Sequence, residues 1–171
     1  MKRRIPACII FLLVCSGVIA QTDFEKQLHL ILNDSTNRFK SFKAGFKYQT
    51  DNDSVFYSAF NLEGTSDNTV LISTEQSTYI MDSYVADIAK SIQEKQGRKN
   101  VDEWKNKISA IVDNSFQMTK LNSKNYPLDY GWHFERGFFW IDVVYIPRKG
   151  NRESLLLLHI NYIHLRDANK N

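Results

Sequence analysis

WHFERGFFWIDVVYI (132–146) and SLLLLHINYIHL (154–165) decide the fold. Both runs are dense in β-branched and aromatic residues, and Pro147-Arg148-Lys149-Gly150-Asn151 lies between them, so they predict a long C-terminal β-hairpin. Pairing Ile146 with Ser154 places Phe138, Trp140, Val144, Leu156, Leu158 and Ile160 on one face. It places Phe139, Ile141, Val143, Leu155, Leu157 and Ile163 on the other. A sheet with water on one side alternates apolar and polar residues, and this hairpin does not. Each face therefore calls for cover, from helices or another layer of the chain or from a partner such as a second copy.

Upstream of the hairpin, a strand is expected near 116–121, followed by the loop Asn122-Ser123-Lys124-Asn125-Tyr126-Pro127. Three more strands, near 46–50, 54–62 and 69–75, are separated by Asp51-Asn52-Asp53 and Gly64-Thr65-Ser66-Asp67-Asn68, which favour turns. Helical spacing appears three times. Phe24, Leu28, Ile31, Ser35, Phe39 and Phe42 predict an amphipathic helix over about 23–41, with Thr22 and Glu25 at capping-box spacing. Met81, Val85, Ile88 and Ile92 predict a second, stopped by Gly97, although Tyr79-Ile80-Met81 also fits the extension of a strand. Val101, Trp104, Ile108 and Ile111 form the stripe of a third, capped by Asn100. The pattern reads as α+β: an antiparallel sheet with helices packed on one face and a long C-terminal hairpin. No internal repeat, low-complexity tract or linker divides the chain.

The first residues follow the order of a cleavable signal peptide: Lys2-Arg3-Arg4, an apolar run from Ile5 to Val14, then small residues ending at Ala20. The run is shorter than the roughly 20 residues of a membrane span. Val14 is also too large for the position before a lipid-modified Cys15. The expected layout is thus a signal over 1–20 and one α+β domain over 21–171, secreted or periplasmic, with no stable membrane insertion after cleavage. A chain of that length supports one self-sufficient core, burying roughly 70% of its unfolded surface. The whole sequence has 22 Lys and Arg against 19 Asp and Glu. Loss of Lys2, Arg3 and Arg4 with no acid balances them, which removes any global electrostatic reason to bind nucleic acid. Both cysteines, Cys8 and Cys15, leave as well, so no disulfide, thiol nucleophile or cysteine metal ligand is expected.

Motifs that force a chemistry are missing: there is no Gly-x-Ser-x-Gly elbow, no His-Glu-x-x-His helix and no phosphate-cradling glycine loop. Asp102 and Glu103 sit at a helix start, where the macrodipole accounts for them. Among the four histidines, only His133 has a same-face carboxylate two residues away, Glu135, so imidazole as base or ligand with a carboxylate orienting it is the one catalytic arrangement to weigh. No third metal ligand accompanies the pair. Tyr126, Tyr130 and Trp132 cluster beside His133 among turn residues; they suit either a platform for sugars or peptide side chains or a plug for the end of the core. Asn33-Asp34-Ser35 and Asn52-Asp53-Ser54 fit the N-glycosylation pattern, which matters only in a eukaryotic secretory pathway.

Phe24, Lys26, Leu28, Ile31, Leu32, Asn33, Asp34 and Phe39, followed by a β meander, a Trp-bearing helix and a terminal hairpin, resemble small secreted proteins of unknown function from Gram-negative bacteria. In residues the resemblance covers about the first twenty positions after the signal, and elsewhere it is one of element order. It implies a periplasmic or secreted α+β domain and carries no catalytic residues. This chain departs from that pattern in having no cysteine near the end of the Trp104 helix. The expectation is a non-catalytic binding or interaction protein for a protein, peptide or glycan, with Tyr126, Tyr130, Trp132, His133 and Glu135 as candidate ligand-binding residues. No cofactor or metal is expected. The alternatives are a small hydrolase or metal-assisted enzyme using His133 and Glu135, and a structural homodimer through the C-terminal hairpin.

Overall fold

The computed structural model describes residues 23–75, 77–121, 130–147 and 153–165. Eight antiparallel strands form one sheet: β1 (Lys43–Gln49), β2 (Asp53–Ser58), β3 (Asn68–Ser73), β4 (Tyr79–Lys90), β5 (Gln117–Leu121), β6 (Tyr130–Arg136), β7 (Phe139–Ile146) and β8 (Leu155–Leu165). Two helices, α1 (Asp23–Asp34) and α2 (Glu94–Ser109), complete the α+β fold. The strand order is β1-β2-β3-β4-β8-β7-β6-β5. Each half of the chain is therefore a helix followed by a four-stranded meander, and the halves join where β4 runs antiparallel to β8. This repeat of topology has no counterpart in the sequence.

Both helices cover the same face. Phe24, Leu28 and Ile31 of α1 and Val101 and Ile108 of α2 share one buried cluster with Val70, Tyr84, Ile141, Val143, Leu156, Leu158 and Ile160 of the sheet. Full burial of each such side chain contributes about 2 kcal/mol relative to exposure. Phe24 meets Trp104 edge to face at 5.3 Å between ring centres, which ties the two helices together. Helix α2 approaches the sheet so closely that a methyl on Gly97 would collide with the Tyr145 ring.

Several expectations need correction. Helix α1 ends at Asp34, followed by short 3-10 turns over Ser35–Asn37 and Lys40–Phe42. Arg38 and Phe39 take left-handed backbone at φ 63° and 50°, conformations that non-glycine residues adopt at a cost. The turn buries Phe39 and lets Arg38 clamp Asp82, a fully buried carboxylate on β4. Arg38 Nε donates to Asp82 Oδ2 at 2.6 Å and Nη2 donates to Oδ1 at 3.1 Å, while the Ser73 N–H donates to Oδ1 at 2.8 Å. The helix expected over Met81, Val85, Ile88 and Ile92 is instead strand β4 as far as Lys90, paired on both sides, with Ile92 beyond its end. A strand buried at the centre of a sheet and a buried helix both present apolar residues at mixed spacing. The third expected helix begins earlier than Asn100, at Glu94, so Gly97 lies inside it rather than stopping it. Residues 132–146 are two strands, split by a tight turn at Gly137 (φ 59°), with Arg136 opposite Phe139.

The hairpin register also differs by one residue, because Ile146 faces Leu155 rather than Ser154. Ser154 is drawn off instead: its hydroxyl donates to the Ile92 carbonyl at 2.6 Å, and its own carbonyl accepts from the Ser91 N–H at 2.8 Å. A one-residue slip turns a whole strand over. Ile141 and Val143 therefore share the helix-covered face with Leu156, Leu158 and Ile160, leaving Trp140, Asp142, Val144, Leu157, His159, Asn161 and Ile163 on the opposite face.

Candidate functional site

The face opposite the helices has three zones along the central strands. At one end Leu121, Val144 and Leu157 form a small buried cluster. At the other end Tyr79 lies beside Leu165 and Met81 beside Ile163, and the Phe138 carbonyl of the β6–β7 turn accepts from the Ile163 N–H at 3.0 Å. Tyr79, Met81, Phe138 and Leu165 are all exposed.

The middle zone is polar. Register across the sheet aligns Val85, His159, Asp142, His133 and Thr119 in one row, and Ser83, Asn161, Trp140, Glu135 and Gln117 in the next. Side chains on four strands link up there. His133 Nδ1 lies 2.6 Å from Asp142 Oδ1, Asn161 Nδ2 donates to Asp142 Oδ2 at 3.3 Å, and the buried Ser83 hydroxyl donates to Asn161 Oδ1 at 2.6 Å. His133 Nε2 is 3.6 Å from Glu135 Oε2. The hydrogen bond to Asp142, reinforced by the Asp142 and Glu135 charges and opposed by burial, raises the His133 pKa above its ordinary value. Across Asp142, burial pushes the His159 pKa down despite the Asp142 and Asp87 charges. Trp140 Nε1 and His159 Nε2 are both buried without a hydrogen-bond partner. The Trp140 ring packs edge-on against His133 at 5.9 Å.

The candidate residues thus divide between the two faces. His133 and Glu135 come together as their spacing predicts, but the carboxylate that orients the imidazole is Asp142. Tyr130 and Trp132 face the helices, where the Tyr130 hydroxyl donates to both Asp102 oxygens at 2.9 Å and the Trp132 indole N–H donates to Oδ1 at 2.9 Å. Cations of the same chain already sit over their rings: Arg98 at 5.1 Å and Lys120 at 4.8 Å from Tyr130, and Lys105 at 5.0 Å from Trp132. Tyr126 lies outside the described residues. Ser83, Trp140, Asp142, His159 and Asn161 join the site only through the pairing of β4, β7 and β8, and the single signal for them in the sequence is polar residues within otherwise apolar strands.

A cleft of about 550 Å³ lies elsewhere, between the start of α2 and the ends of β7 and β8, bordered by Ser91, Glu94, Tyr145, Pro147 and Glu153. Among the described residues, no group of three or more His, Cys, Asp or Glu is placed to hold a metal ion, and no helix is long and apolar enough to cross a membrane. No protein-family model, curated protein or solved structure matches the chain.

Proposed function

We propose that this protein is exported with removal of residues 1–20 and works in the periplasm or outside the cell as a non-catalytic binding protein, using the helix-free face of its sheet. The observation that carries this reading is the makeup of that face. A linked polar network with two unpartnered buried nitrogens lies between apolar zones, one of them exposed. Neither stability nor solubility calls for that arrangement, since unpartnered buried polar groups cost about 1–3 kcal/mol each and exposed apolar side chains grouped together mark interaction surfaces. The resemblance to secreted Gram-negative proteins points to the same compartment.

The second reading is a small hydrolase or metal-assisted enzyme on His133 and Glu135. It draws on the imidazole held by Asp142 at 2.6 Å, an arrangement that suits a general base. Against it, the Ser83 hydroxyl is committed to Asn161, with β8 and β7 between its strand and that of His133. The cleft holds neither His133 nor Glu135. A homodimer through the C-terminal strands draws on Tyr79, Met81, Phe138 and Leu165.

Mass spectrometry of the product made from the full chain is expected to find Gln21 at its start; retention of Met1 or Cys15 overturns the export half. On a glycan and peptide panel, Met81→Lys on the helix-free face is expected to weaken binding and Lys105→Glu on the helix side to leave it unchanged. The reverse pattern, or no binder at all, contradicts the binding half. Light scattering that finds a dimer dissociated by Met81→Lys would transfer the face to self-association.

A further inference from the structure

We propose that Arg38, Asp82 and His164 form an acid-opened latch at the end of helix α1: a proton taken up by His164 gives Asp82 a second cation, and Arg38 leaves with its turn. The proposal is independent of the binding reading. Its basis is one shared atom. Arg38 Nε donates to Asp82 Oδ2 at 2.6 Å, and His164 Nε2 lies 3.1 Å from that same oxygen. The Asp82 side chain is fully buried, whereas those of Arg38 and His164 keep 32% and 14% of their surface in solvent. Protons therefore reach the imidazole, and the guanidinium has an exit. His164 Nε2 makes no hydrogen bond although Oδ2 is so near, because the approach is not aligned for one. Oδ2 is committed to Arg38, and a neutral ring has no charge with which to compete for it.

The backbone decides which cation yields. Arg38 and Phe39 hold left-handed backbone at φ 63° and 50°, which persists only while the surrounding contacts enforce it. Those contacts are the two bonds to Asp82 and one from Arg38 Nη2 to the Ser73 carbonyl at 3.2 Å. His164 is held more firmly, on β8 opposite Ile80, with its ring 4.7 Å from that of Tyr162 and Tyr162 in turn 4.7 Å from Phe139. Asp82 keeps the Ser73 N–H at 2.8 Å in either state. Among the described residues, the charges that bear on His164 are Asp82 on β4 and Arg38 from the turn after α1. Burial lowers its pKa, the Asp82 charge raises it and the Arg38 charge lowers it again. Tyr162 is the titratable group packed on the ring, and Asp53 on β2, whose carboxyl feels both Glu75 and Asp82, lies beyond. Departure of Arg38 removes the charge that opposes the proton, so protonation and release favour each other. The turn joins α1 to β1 and buries Phe39, so its release unpins the end of α1 and bares a core aromatic ring in acid.

The test is side-chain NMR on the protein purified after expression of the full chain, followed from about pH 8 to about pH 5, a range that brackets an ordinary imidazole. The Arg38 Nε–H signal and the His164 ring signals are expected to change with one midpoint. Amide exchange across 35–42 is expected to speed up at least ~10-fold beyond its intrinsic pH dependence, while Val143 and Leu158 stay protected. His164→Gln fills the position with a side chain that takes no proton and leaves His133 and His159 to titrate; it is expected to keep Arg38 seated throughout. Arg38→Gln removes the competing cation and is expected to raise the His164 midpoint by about one unit or more. An Arg38 signal indifferent to the His164 titration, a turn that still loosens in His164→Gln, or an unchanged or lowered midpoint in Arg38→Gln overturns the proposal. If neither variant folds, the wild-type titration decides alone, by one midpoint or two.

Discussion

On the helix side of the sheet, Tyr84, Ile141, Val143, Leu156, Leu158 and Ile160 are almost without solvent contact and pack under both helices. The same strands carry Ser83, Asn161 and Asp142 on the other side, joined by hydrogen bonds, with Trp140 and His159 beside them and apolar zones at each end. Strand, pairing and chain position are shared, so the contrast comes from the alternation of side chains. One face is mostly apolar packing, with the Arg38–Asp82 pair as its polar exception. The other carries a continuous polar zone, and under the proposed binding role that zone is where selection for binding would show against the background of stability.

The sharpest way to break this contrast is to truncate one residue on each side. Leu158→Ala should lose about 2–5 kcal/mol, the usual range for a buried leucine. Met81→Ala, 43% exposed on the adjacent strand, should change stability by no more than about 0.5 kcal/mol. Urea unfolding measures both, and similar losses would mean that the helix-free face is covered as tightly as the other. The next largest effect is expected at the Arg38 clamp. Arg38→Ala removes both guanidinium hydrogen bonds to the buried Asp82 carboxylate and leaves it the Ser73 N–H at 2.8 Å and His164 Nε2 at 3.1 Å, a loss of about 3 kcal/mol at the low end for buried pairs, because Arg38 is itself 32% exposed. A change below about 1 kcal/mol would show that the left-handed turn at Arg38 and Phe39 recovers as much strain as the ion pair contributes.

Smaller and dependent on pH are the histidines. The His133 pKa is raised in the fold, so its contribution is complete below the unfolded value of about 6.5 and fades as pH rises through the folded pKa. Burial lowers His159 and His164, whose contributions hold above about 6.5 and are lost as pH falls towards their folded pKa values. His133→Gln is therefore expected to cost more at about pH 5.5 than at about pH 8, and His159→Gln to relieve part of the acid loss. Unfolding curves at the two pH values check the signs, and the same sign for both variants would contradict the assignment.

Much of this was legible before the structure. The stripes Phe24, Leu28, Ile31 and Val101, Ile108 have one reading, and β5 falls within the strand expected near 116–121. Period two in the sequence already separates Tyr130 and Trp132 from His133 and Glu135, so their placement on opposite faces had a signal that the clustering of aromatics in sequence obscured. Strand β4 was ambiguous because each of its faces mixes polar with apolar residues, Asp82 with Tyr84 on one and Ser83 with Met81 and Val85 on the other, so no clean alternation marks it. The partnership of His133 with Asp142 depends on β6 and β7 being separate strands turned at Gly137. The links to Asn161 and Ser83 depend on a register set by Ser154 bonding to Ile92, a contact between residues far apart in the chain.

The measurement that reaches the central claim most directly is the stability of His159→Val by urea unfolding. If the imidazole is kept for binding rather than for folding, an apolar β-branched residue in its place removes an unpartnered buried nitrogen and suits a strand. The variant is then expected to be more stable than the wild type by about 1 kcal/mol. A loss comparable to that of Leu158→Ala would mean that the polar zone holds the sheet together, and the division of labour between the two faces would be wrong.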